Sequence, residues 1–180
     1  GTTTIGMDGK EMIVNLPSEE VFTSPKIGTA EGKLYSSKPL VYNGVLIEDF
    51  YFVFKKGKVV EVGAKNGLDV LKQILTVDDY ACELGEVALV NFDSPISASG
   101  LTFYETLYDE NAACHFALGS SFPKCLKGAQ GKTPEELQKM GINQSKIHVD
   151  FMIGTEDLTI VGTKEDGEKV LIMEKGNIVI

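Results

Sequence analysis

Residues 45–62 dictate more about the fold than any other stretch of the chain. Over 45–54, Leu46, Phe50, Phe52 and Phe54 fall on one side of an extended backbone, and Ile47, Asp49, Tyr51 and Val53 on the other. Lys55-Lys56-Gly57-Lys58 then turns the chain, and 59–62 returns as the second arm of a hairpin. A chain built around such an arm needs further strands to cover its aromatic face. Short apolar segments supply them at 12–16 (ended by Pro17), 87–92 (closed by Ser94-Pro95), 147–153, 158–162, 169–174 and 178–180. Residues 28–44, broken by Gly, Ser and Pro39, read as short strands and turns.

Helical spacing is confined to three places. Asn66 and Asp69 open a segment in which Leu68, Leu71, Ile74 and Leu75 share a face, giving a helix to about Thr76. Residues 104–118 are rich in Glu, Leu and Ala and run to a natural stop at Gly119, so a second helix is expected there. Thr133-Pro134-Glu135-Glu136 starts a third, short helix with a capping threonine, ending at Gly141. The expected fold class is therefore α+β, a β-rich single domain over 1–180 with two or three helices.

Composition narrows function mainly by exclusion. With 43% hydrophobic and 24% charged residues the chain is an ordinary globular one. No apolar run reaches membrane-spanning length, and no signal peptide is visible, so no membrane partner is expected. The net charge is -9, and every one of the 17 basic residues is Lys. Without Arg there is no forked guanidinium for phosphates or guanine edges, which argues against nucleic acid as a partner. Cys82, Cys114 and Cys125 are odd in number and form no CxxC pair, so a reducing, cytoplasmic compartment fits better than a disulfide framework.

The two histidines are the natural start for chemistry. His148-Val149-Asp150 lies in an expected strand, which puts His148 and Asp150 on one face with Cα atoms about 7 Å apart. Such a pair can give a metal one nitrogen and one oxygen, or can simply be two polar residues on a half-exposed strand. His115 follows Glu110 by five residues, roughly 140° around a helix, so a shared metal would require a bend near Glu110. The plain alternative is a capped helix start with a satisfied histidine. Glu19 and Glu20 sit in a loop between Pro17 and Pro25, and Glu86 enters an otherwise apolar strand. A carboxylate there costs several kcal/mol unless it is paired or bound to metal. No hydrolase elbow, HExxH, P-loop or dinucleotide fingerprint is present. A nitrogen and oxygen donor set without thiolates admits zinc, cobalt, manganese or magnesium.

Four segments together carry a resemblance. They are Asn15-Leu16-Pro17-Ser18-Glu19-Glu20-Val21-Phe22-Thr23-Ser24-Pro25, Leu84-Gly85-Glu86-Val87-Ala88, Thr106-Leu107-Tyr108-Asp109-Glu110-Asn111-Ala112-Ala113-Cys114-His115 and His148-Val149-Asp150-Phe151-Met152-Ile153-Gly154. In this order they resemble the C-terminal, catalytic part of the thermophilic-type metallo-aminopeptidases, the aminopeptidase T and aminopeptidase S family. The resemblance implies two divalent ions that activate water and remove N-terminal residues from peptide substrates. It implies Glu20, Glu86, His115, His148 and Asp150 as metal ligands, one glutamate bridging, with Glu110 either a ligand or the general base. It also implies an N-terminal domain not found in these 180 residues, and a homodimer for the full-length protein. The family pattern has a tyrosine where this chain has Phe122, and a phenyl ring can neither ligate a metal nor donate a hydrogen bond. A non-catalytic domain of the same fold, serving peptide binding or assembly, is the second reading.

Overall fold

The computed structural model describes residues 3–13 and 19–180. Most of the expected apolar segment 12–16, and Pro17 after it, lie outside them. The chain begins with β1 (Thr3–Ile5), β2 (Glu11–Ile13), β3 (Val21–Thr23), β4 (Gly32–Tyr35), β5 (Leu40–Tyr42), β6 (Val45–Ile47), β7 (Tyr51–Lys55) and β8 (Lys58–Gly63). Helix α1 (Leu68–Ile74) leads to β9 (Leu84–Leu89), then to the single turns α2 (Pro95–Ala98) and α3 (Thr106–Asp109). Next come β10 (His115–Gly119), α4 (Pro134–Lys139), β11 (His148–Met152), β12 (Ile160–Thr163), β13 (Lys169–Glu174) and β14 (Asn177–Ile178). This is the expected α+β, β-rich architecture, with four short helices among the described residues. None is long and apolar enough to cross a membrane.

The site depends on one four-stranded antiparallel sheet, in the order β11-β10-β9-β3. Its apolar face, with Phe116, Leu118, Val149 and Phe151, packs on the aromatic face of the β4-β7-β8 sheet and on Leu71 and Ile74 of α1. Phe52 meets Phe151 edge-on, with ring centroids 5.0 Å apart, and Phe50 does the same from 6.1 Å. Because side chains alternate along a strand, burying this face leaves the other free to carry polar groups.

Two expectations change. The strand over 45–54 is interrupted: Asp49 takes φ 49°, and β6 ends before it. Asp tolerates this left-handed conformation better than most residues, and the break shifts the alternation by one. Ile47 rather than Leu46 therefore joins Phe50, Phe52 and Phe54 in the core. The expected helix over 104–118 is confined to α3. A tight turn over Glu110–Ala112 follows, and Ala113 is extended, at φ -160° and ψ 155°. His115 thus starts β10, where pairing to both β9 and β11 overrides the helix propensity of Glu, Leu and Ala. Ser94-Pro95 similarly caps and opens α2 rather than merely ending a strand. The third expected helix forms as read, as α4: Thr133 Oγ1 accepts from the Glu136 N–H, and the Glu136 carboxylate accepts from the Thr133 N–H.

Candidate metal centre

The polar face of the central sheet gathers the candidate residues by register alone. Glu86, Ala117 and Asp150 lie side by side across β9, β10 and β11. His115 and His148 sit two residues from Ala117 and Asp150 respectively, so both point from the same face. Ala117, fully buried, keeps the floor low between the two carboxylates. Gly119, opposite His148, has φ 94°, and a Cβ there would come within 2.2 Å of the Ile147 carbonyl oxygen. Glu20 reaches the cluster from the residue before β3. Glu110 reaches it from the turn after α3, which supplies the bend that the helical reading lacked.

All six candidates converge. Three overlapping sets each place their ligand atoms within 4.8 Å of one another: Glu20, Glu86 and His115; Glu86, His148 and Asp150; Glu110, His115 and Asp150. Glu86 belongs to a set around each histidine, as does Asp150. His115 Nε2 lies 3.1 Å from Glu20 Oε2, and His148 Nε2 lies 3.1 Å from both Glu86 Oε2 and Asp150 Oδ1. The far ring nitrogens are held by the backbone, His115 Nδ1 by the Ala113 carbonyl (3.1 Å) and His148 Nδ1 by the Ser120 carbonyl (2.7 Å). That arrangement fixes the tautomer whose Nε2 lone pair faces the carboxylates.

Lone pair against carboxylate is unfavourable unless a proton or a metal stands between them. Among the described residues nothing donates a hydrogen bond to the buried Glu20 Oε2 and Asp150 Oδ1, despite their short distances to the imidazoles. Buried oxygens of this kind are normally satisfied, so their placement against imidazole nitrogens fits a cation. The donors are imidazole nitrogen and carboxylate oxygen, which suits a borderline or hard divalent ion.

Without metal, protons take the cation's role. Burial pulls the His115 pKa down, but the Glu20 carboxylate, the Ala113 carbonyl and Asp150 outweigh it and raise the pKa to about 9. At His148, burial is likewise outweighed by Asp150, Glu86 and the Ser120 carbonyl, and the pKa rises to about 10. Folding then captures protons that the unfolded chain releases above its ordinary histidine pKa near 6.5. This stabilisation is complete below pH 6.5 and is lost as pH rises through 9 to 10. Thermal midpoints in a chelator are expected to fall across that window. Metal-saturated protein, its imidazoles held unprotonated, instead gains stability from pH 5 to about 6.5 as the unfolded chain's histidines lose their protons. Parallel profiles with and without metal would contradict the assignment.

One supporting residue escaped the sequence reading. Asn111, fully buried, accepts the Glu19 N–H at Oδ1 (2.9 Å) and donates from Nδ2 to the Leu107 carbonyl (3.1 Å). It thereby fastens the loop bearing Glu20 to the turn bearing Glu110, across 92 residues of chain. Its contact is with a backbone N–H far along the chain, which no local spacing announces. Cys114 points away from the centre, towards Val90 and Met173.

Sheet, histidine pair and carboxylate cluster together form a candidate divalent-metal centre. The chain belongs to the thermophilic metalloprotease (M29) family, which matches it over residues 1–178. It is 44% identical over 177 residues to aminopeptidase AmpS of Bacillus subtilis, covering 98% of this chain and 43% of that protein. It is also 44% identical over 180 residues to aminopeptidase T of Thermus aquaticus, covering all of this chain and 44% of that one. The solved structure of wild-type AmpT from Thermus thermophilus superposes with a TM-score of 0.90 at 42% identity, again over 100% of this chain and 44% of that one. The chain thus spans less than half the length of the relatives it matches.

Proposed function

We propose that the centre holds two divalent metal ions and that the chain carries the hydrolytic machinery of an aminopeptidase acting on peptide N-termini. The observation that carries this reading is the pair of buried oxygens, Glu20 Oε2 and Asp150 Oδ1, that no described residue satisfies, each set against a histidine Nε2. Glu20 and His115 would hold one ion, His148 and Asp150 the other, with Glu86 shared between them. When bound, such an ion pair supplies Lewis acidity and a water of lowered pKa. Glu110, buried beside His115 and Asp150, accepts the proton of the attacking water and delivers it to the leaving nitrogen. The clustered carboxylates also attract a peptide's cationic α-amine, and burial keeps competing water away.

The test is removal and return of metal. Chelation abolishes cleavage of an aminoacyl anilide by this chain, and zinc, cobalt, manganese or magnesium restores it. Each ion at a hundred times its Kd adds about 2.7 kcal/mol. Each kcal/mol shifts the midpoint of a chain of this size by about 2–4 °C, so two ions raise it by about 10–20 °C. Two ions bound without hydrolysis would instead mark a non-catalytic domain of this fold. Absence of metal uptake would remove the reading altogether.

A further inference from the structure

The centre is not equally buried on all sides. His115 and Glu86 are nearly sealed, with side chains 1% and 5% exposed, whereas the His148 side chain is 27% exposed. A peptide end therefore approaches past His148. The group that meets it there is a phenyl ring: Phe122 is 39% exposed, and its centroid lies 4.9 Å from the His148 ring. Phe22 of β3 backs Phe122 edge-on at 5.3 Å and shares the sheet face of Ala88 and the metal-centre residues. The Phe122 backbone is clamped to the end of β3, because Ser24 Oγ accepts its N–H (3.0 Å) and donates to its carbonyl (3.1 Å). Pro123 follows directly and further stiffens the position.

We infer that the Phe22–Phe122 pair is the wall against which the side chain of the substrate's N-terminal residue packs, so that the centre selects apolar N-termini over small ones. The inference rests on the proposed aminopeptidase reading, in which the acidic cluster holds the α-amine. The first side chain leaves the same carbon as that amine, so it is the part of the peptide within reach of a ring touching His148. An aliphatic or aromatic side chain gains by covering the exposed phenyl face, whereas glycine and alanine gain little or nothing. A rigid wall adds to this, since no side-chain ordering is needed when substrate arrives.

Metal-loaded chain is assayed with leucyl and alanyl p-nitroanilides, for the parent, Phe122→Ala and Phe122→Leu. Metal uptake is measured in parallel by calorimetry. Expected for the parent is a kcat/KM ratio favouring leucyl, which Phe122→Ala compresses about tenfold, mainly through KM. Phe122→Leu, which keeps an apolar surface, recovers most of the ratio, and both variants bind two ions. Hydrolysis that persists with the ratio unchanged in Phe122→Ala, or with no leucyl preference in the parent, overturns the wall while leaving the aminopeptidase reading intact. Metal uptake without hydrolysis, or no uptake at all, removes that reading and the inference with it.

Discussion

Glu86→Gln is expected to release both metal ions and to silence hydrolysis at metal concentrations that saturate the parent. Glu86 is the carboxylate common to the Glu20–His115 pair and the His148–Asp150 pair, and it is 4% exposed. Glutamine keeps the volume and one oxygen but removes the charge and cannot bridge two cations. Losing a mere outer partner of a ligand costs about 10–100-fold in metal affinity, so loss of a shared donor should exceed about 100-fold at each ion. The metal-free state should change much less, because two effects oppose each other there. The His148 imidazolium loses one of its two carboxylate neighbours, yet a buried negative charge also disappears. The variant should therefore melt close to the parent in chelator but gain almost nothing from added metal. Calorimetric stoichiometry together with thermal denaturation reads both quantities. Two ions per chain in Glu86→Gln would show that the bridge lies elsewhere.

What the sequence made legible follows from which interactions are local. The hairpin over 51–63, the helix over 68–74 and the cap at Thr133 rest on contacts within a few residues and form where their patterns put them. Gly67 rather than Asn66, however, stands at the start of the helix, which ends at Ile74, short of Thr76. The break at Asp49 depends on what the core needs next to Phe50, which alternation alone cannot report. The stretch 104–118 failed for the same reason in stronger form. Its helix formers yield to β9 and β11, partners that lie more than twenty residues away on either side. Of the candidate cluster, strand spacing suggested only the His148–Asp150 pair, and scarcity of nitrogen donors drew attention to His115, while the full set of six came with the family resemblance. The geometry of the site was not legible. Glu110 and His115 share a set only because the chain leaves the helix between them, and Glu20 is fixed through Asn111, whose role no spacing announces.

Glu110→Gln separates the two roles open to that carboxylate. Glu110 belongs to the set containing His115 and Asp150, yet it comes from a turn beside the sheet rather than from the sheet itself. An amide oxygen can still face a cation, but it cannot take up a proton near neutral pH. If Glu110 moves the proton, the variant keeps two ions, and kcat falls by about 10²–10⁴-fold, the range of a positioned general base. KM should move little, because the amine and carbonyl of the substrate are held by other groups. The acid limb of the pH–rate profile, which reports ionisation of the base, should vanish from whatever activity is left. If Glu110 only holds metal, excess metal rescues turnover in the variant and the acid limb survives. Glu110→Asp sharpens the choice, since it restores a carboxylate drawn back by one methylene. Proton transfer needs hydrogen-bond reach, so the shortened base should stay impaired at every metal concentration. A metal-only role instead predicts that saturating metal returns Glu110→Asp to near-parental kcat, and that result would end the assignment of Glu110 as the base.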